Sequence, residues 1–422
     1  MQLCVFEDKR ASNFLPLTYS RPVYDLICGY TSLKNKIFRL FPSAKHSLHC
    51  RAYLEKVTAL NNPGILVNTI EGDECIFVNG RVAAGDGLIK IFSKKKKENV
   101  VYISGDTVIA AYLSGSHLSS FKKSIGEYID LENFDGIRTE AVEIKIFNYI
   151  WDLINYNGEE LSKEFQIQMD KKKRKNQKRI TGKLFDGVHL LEKKEIIIEK
   201  DAVVKPGVVI DASKGPVFID KNVEIFPNAV IEGPVYIGES SKIKSTATIY
   251  ENVSIGKVCK IGGEVEDSII MPYSNKQHAG FLGHAYLGSW VNLGADTNNS
   301  DLKNNYGMVK AFINGKMVDS KSQFLGLMMG DHSKTAINTM FNTGTVAGFS
   351  CNIFGTGFPG KFIPSFTWGG AGESKVYDVD KGIDTAQKVM SRRGITMNEE
   401  EIKLFRKIFE LTQQERNNAI TA

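Results

Sequence analysis

The chain has 422 residues, 42% of them hydrophobic and 24% charged, with a formal net charge of +6. That length exceeds one ordinary core and implies two or three domains. No apolar run is long enough to span a membrane, and Met1-Gln-Leu-Cys-Val-Phe6 passes directly into Glu7-Asp-Lys-Arg10, so no membrane partner or secretory signal is expected and the expected location is the cytoplasm.

Residues 1–185 read as α/β. Gln2–Phe6 is a short apolar strand, Leu33–Phe41 has a helical pattern, Cys75–Asn79 is a strand ending in Asn79-Gly80, and Val100–Ile103 is another. Thr107–Leu118 reads as helical, and Val142–Leu153 is apolar on one face. The basic excess sits mainly in Lys94–Lys97 and in Lys171–Lys175 with Lys178 and Arg179. Neither run is interleaved with aromatic rings that stack on bases, so solvated loops are expected and no nucleic-acid partner. The second run falls where a domain linker is needed. The six cysteines are scattered, with no Cys-x-x-Cys pair, and read as buried free thiols of a reducing compartment.

Residues 186–375 carry a different rhythm. An aliphatic residue returns every sixth position at Ile198, Val204 and Ile210, and then from Ile219 through Ile225, Ile231, Ile237, Ile243, Ile249 and Ile255 to Ile261, with one slip at Ser213–Pro216. Four residues after each of these except Ile210, where the slip falls, comes a small or β-branched residue, from Ala202 to Val265. If about one residue in five is Ile, Leu or Val, ten successive hits arise by chance on the order of once in ten million. A period of six fits neither a helix nor a simple strand; it winds a triangular parallel β-helix with sides of about six residues. The rhythm resumes at Phe281, Leu287 and Leu293, and again from Met329 to Ile353, so residues 297–328 form an excursion. Residues 376–422 are a helical extension, with a capping box at Thr396-Met-Asn-Glu399 and an apolar stripe of Ile402, Phe405 and Phe409.

Several motifs make the chain resemble the bifunctional N-acetylglucosamine-1-phosphate uridyltransferase/glucosamine-1-phosphate acetyltransferases, in a branch with a divergent sugar nucleotidyltransferase front half. They are Tyr273-Ser-Asn-Lys-Gln-His-Ala-Gly-Phe-Leu-Gly-His284, Leu287-Gly-Ser-Trp-Val-Asn-Leu-Gly-Ala295 and Asp301-Leu-Lys-Asn-Asn-Tyr-Gly307 in the solenoid, and Phe14-Leu-Pro-Leu-Thr-Tyr-Ser-Arg-Pro-Val-Tyr-Asp-Leu26 and Trp151-Asp-Leu153 in front. The resemblance implies a nucleotidyltransferase-like α/β domain followed by a left-handed parallel β-helix. It also implies acetyl transfer from acetyl-CoA to glucosamine 1-phosphate, then Mg²⁺-dependent nucleotidyl transfer from UTP to give UDP-N-acetylglucosamine. The alternatives are an enzyme in which only one half works, and a non-catalytic scaffold that senses nucleotide or sugar phosphate.

Acetyl transfer to an amine requires a base with a pKa near the working pH, which imidazole supplies. His278 interrupts the hexads and matches the family's catalytic histidine. Asn292 matches an asparagine that holds sugar or histidine, or else belongs to an asparagine ladder. Phe281 stands where the better-known branch has tyrosine, and Glu266-Asp-Ser268 replaces the stretch of phosphate-gripping cations, leaving Lys276 and Lys303 as candidate substitutes. In front, Glu7–Asn13 contains no glycine where a phosphate-wrapping loop is usual, so Arg10 and Arg21 are the expected phosphate readers. Asn79 and Asp152 are the candidate Mg²⁺ ligands; Asp152 reads equally as a helix cap. Outward apolar residues Phe218, Phe226, Tyr236 and Tyr250 lead to the expectation of a homotrimer, because related acyltransferases pack three prisms with the coenzyme between subunits.

Overall fold

The computed structural model describes residues 1–92 and 98–420, and the basic run Lys94–Lys97 lies outside them. The front half is a seven-stranded sheet. At its centre Gln2–Phe6 pairs in parallel with Lys45–His49 on one side and Glu74–Asn79 on the other, with Phe6 opposite both His49 and Asn79. The three strand ends therefore open side by side at one edge. Thr107–Ser114 is a strand, not the expected helix, and the helix begins only at Gly115. Its residues from Thr107 to Leu113 are all buried, so apolar side chains on both faces of a central strand imitated a helical stripe.

Ile150–Arg174 forms a single long helix. The stretch Trp151–Leu153 thus opens a helix, and Lys171–Lys173 with Arg174 are its last turn instead of a linker. Cations there complement the negative end of the helix dipole. Lys172 also reaches Glu199 of the solenoid at 2.8 Å.

The solenoid is the parallel β-helix that the hexads predict. Three sheets run along it, of which one stacks Ile198, Ile219, Ile237, Ile255, Ile270 and Leu287 in register. Both sets of in-step residues face the interior and are fully buried, including Ile225, Ile243 and Ile261, and Ala202, Ala247 and Val265. The coil bearing Leu287 is followed directly by the one bearing Met329. Asn292 and the strand Asn298–Asn299 stay in the stack, so the excursion opens later than residue 297; Leu302 bridges Phe324 at its base, and its hairpin, Lys310–Ile313 with Lys316–Asp319, packs on the front domain. At its tip Asn314 donates hydrogen bonds to Asn13 (2.9 Å) and Ser12 (3.2 Å).

Two of the four outward aromatics are not free. Phe218 is buried and Tyr236 partly so, both packed against Tyr30, Leu161 and Phe165 of the front half. After the last strands, the helices Val379–Ser391 and Glu399–Leu411 close the gap between solenoid and front domain, burying Phe405 with Phe349 and Phe366. The capping box that starts the second of these is Asn398 with Glu401, two residues beyond the expected pair. All six cysteines are buried and unpaired. Among the described residues no helix is long and apolar enough to cross a membrane.

Candidate functional site

The edge where the front strands end is filled by two buried ion pairs. Glu7 follows the first strand and accepts from Arg51 (Nε, 3.1 Å) and from the backbone of Val23 (2.7 Å). Arg51 in turn donates to the carbonyl of Thr18 at 2.7 Å, which locks the Thr18–Val23 loop. Asp8 is gripped on both oxygens by Arg81, whose Nε lies 2.8 Å away and whose side chain is wholly buried. Neither arginine was among the residues singled out from sequence. The signal was present in the spacing: each follows the end of a strand flanking the first, so register sets it beside the carboxylates. Gly80 is needed here, because a Cβ would lie 2.7 Å from Tyr24 Cβ.

This arrangement corrects the metal assignment. Asn79 is fully buried, donates to Asp8 (2.9 Å) and Val108 (3.0 Å), and accepts from the Arg81 backbone (3.0 Å). Asp152 accepts from the backbones of Asn148 (2.6 Å) and Tyr149 (3.1 Å) as the cap of the long helix. Burial raises the Asp152 carboxyl above its usual range, against those two hydrogen bonds. Both side chains are spent on structure, and they do not fit a Mg²⁺ ligand pair. The expected cations part company. Arg10 is at the rim of a 790 Å³ cavity, in a two-point pair with exposed Asp106 at 2.7 Å. Arg21 points away, into an ion pair with Asp331 of the solenoid, where Ser20 also donates to Asp331 at 2.7 Å. Its charge is neutralised at the domain junction, beside a 780 Å³ cavity shared by both halves.

On the solenoid, His278 is exposed at the bend between strands Asn275–Lys276 and Phe281–Gly283. Lys276 is not a solvated cation. It occupies the interior rung above Ile261, and its side chain is 2% exposed. Its ammonium donates to the carbonyls of Gly262 (2.8 Å), His278 (3.3 Å) and Gly280, so it fixes the turn that carries His278. Burial pushes it down to about 8, against the pull of Glu264 and Asp296. Gly263, at φ +67°, leaves the space: a Cβ there would sit 2.7 Å from the amine.

Phe281 does not continue the inward hexads, since Leu282 stacks on Val265 and Phe281 faces out beside Glu264. Asn292 lies 3.5 Å from Asn275 on the neighbouring rung, a short asparagine ladder on the same face as Lys276's strand. Lys303 donates to the carbonyl of Met308 in its own loop at 2.5 Å and is not gathered with His278. Thus His278, Phe281 and Asn292 are on adjacent coils, while Lys276 and Lys303 serve backbone.

Residues 3–173 match the family model described as sugar nucleotidyl transferase. The chain is 34% identical over 97 residues to a bifunctional sugar-1-phosphate nucleotidylyltransferase/acetyltransferase of Sulfurisphaera tokodaii, covering 22% of this chain and 24% of that one. It is 36% identical over 90 residues to the bifunctional protein GlmU of Methanocaldococcus jannaschii, covering 21% and 22%. The matched segments thus span about a quarter of those relatives. Among solved structures, a UDP-N-acetylglucosamine acyltransferase of Francisella novicida overlaps 53% of this chain and 72% of its own, at 20% identity and a TM-score of 0.26.

Proposed function

We propose that this protein is a transferase of amino-sugar activation whose solenoid moves an acetyl group from acetyl-CoA to glucosamine 1-phosphate. The observation that carries the reading is an exposed imidazole, His278, on a turn fixed from inside by a buried ammonium. The sugar amine attacks the thioester carbonyl as His278 takes its proton; the C–S bond then breaks, and the leaving thiolate receives a proton. The front-domain match and the two bifunctional relatives support a second step, nucleotidyl transfer from UTP, with Arg10 at the rim of its cavity. A specific observation favours a single-activity reading instead: Glu7–Arg51 and Asp8–Arg81 seal the strand ends, and Asn79 and Asp152 are unsuited to Mg²⁺.

The solenoid corner stands outside both large cavities, which fits a site completed by a neighbouring copy. We therefore keep the homotrimer as part of the proposal, with contacts on the faces that bear Phe226 and Tyr250. Incubation with glucosamine 1-phosphate, acetyl-CoA, UTP and Mg²⁺, following free thiol and pyrophosphate separately, tests the reading. Thiol with pyrophosphate supports two activities, and thiol alone supports one. Absence of thiol release refutes acetyl transfer. Light scattering at micromolar concentration tests the trimer; a mass near the 46.9 kDa of one chain with transfer intact refutes the shared site.

A further inference from the structure

On another corner of the solenoid, one chain-turn beyond His278, three successive coils place side chains in a vertical stack. Glu266 pairs in register with Gly283, so Asp267 and His284 follow at the same corner, and Asp301 comes just after the next strand, Asn298–Asn299. His284 Nδ1 lies 2.8 Å from Asp301 Oδ2, and its Nε2 lies 3.7 Å from Asp267 Oδ2. Ligand atoms of Glu266, His284 and Asp301 are all within 4.8 Å of one another. The group is largely withdrawn from water: the side chains of His284, Asp267 and Asp301 are 16%, 27% and 12% exposed. Phe324 stacks on the imidazole at 5.0 Å.

The charge balance is the second, independent observation. Among the described residues, the only cationic partner of Asp267 and Asp301 is His284 itself. One imidazole thus stands among three carboxyl groups with no lysine or arginine paired to Asp267 or Asp301, and partly buried negative charge is costly without a counter-ion.

We propose that Glu266, His284 and Asp301 form a binding site for a divalent transition metal ion, with Zn²⁺ the best fit to one imidazole and carboxylate oxygens, while Asp267 faces the other ring nitrogen and orients the imidazole. Ligand atoms around such an ion lie about 3–4 Å apart, given bonds of about 2.0–2.2 Å. The ion ties the coil that launches the excursion to the two coils beneath it. This assignment does not rest on the acetyl-transfer reading.

The test uses the full chain, stripped with chelator and titrated with Zn²⁺ by calorimetry, with Mg²⁺ as comparator. We expect one Zn²⁺ per chain, preference over Mg²⁺, and a melting temperature that rises with Zn²⁺ concentration. Asp301→Asn and, separately, Glu266→Gln should weaken binding by about 10–100-fold. Circular dichroism establishes that each variant is folded, and Glu266→Gln, nearer the surface, serves if Asp301→Asn does not fold. Absence of stoichiometric Zn²⁺ binding, or wild-type affinity in the folded variants, overturns the site.

Discussion

The strand ends of the front domain and the corner of the solenoid are both rich in charge, yet they use it in opposite ways. In front, Glu7, Asp8, Arg51, Arg81 and Asn79 satisfy one another and are 0–5% exposed. At the corner, Lys276 is buried so that His278 is not. Polar residues that close on themselves hold a structure together. Polar residues whose hydrogen bonds all come from below leave an exposed side chain free, and this contrast, more than the number of charges, is what supports the proposed site at His278.

The contrast is sharpest in the corner histidine. His278→Ala should lower thiol release from acetyl-CoA by about 10³-fold without moving the melting temperature, since the side chain is exposed. Retained transfer would break the comparison at its centre. Asp8→Asn should do the converse. It leaves Arg81 buried without its counter-charge, and urea unfolding should show a loss of about 3 kcal/mol or more, with acetyl transfer per folded molecule preserved.

Lys276 sharpens the comparison through pH. Its folded pKa of about 8 is below that of an unfolded lysine, so the unfolded chain binds more protons between the two values and stability rises with pH there. Relative to Lys276→Met, the wild type should gain about 2 kcal/mol between pH 7 and 9.5, measured by paired denaturation curves. A constant difference would mean that the ammonium is solvated and does not hold the turn. The smallest effect is on the acid side. Burial lowers His49 to about 4 and sets His332 well below its usual range. Both are neutral when folded, so stability present above pH 6.5 is lost as pH falls below it, by about 1 kcal/mol per imidazole at pH 5.5. Flat stability from pH 7 to 5.5 would refute their burial as neutral rings.

The solenoid was legible because its cause is local. Each hexad residue packs on its equivalent one coil away, and the period records that stacking directly. The first strand and the helix from Leu33 were legible for the same reason. What stayed hidden depends on distant partners. Asn79 read as a metal ligand because nothing near it announces Asp8 or Val108, and Arg21 read as a phosphate cation because Asp331 lies far along the chain. Lys276 misled differently: a lysine in a motif suggests a surface charge, although its in-register position above Ile261 marked it as interior. Of the candidate site, the position of His278 on a turn was legible, and what fixes that turn was not.

The hairpin Lys310–Asp319 has a consequence for how the molecule can be divided. Val309, Ala311, Ile313 and Leu325 of the excursion share one apolar cluster with Phe14, Leu17 and Trp151. A cut at the end of the long helix would strip both sides of that cluster and expose oily surface on each fragment. The loop that begins with Glu7 and the arm that ends in Asn314 are sewn together, so the two halves are a single unit of expression and of design, however different their folds.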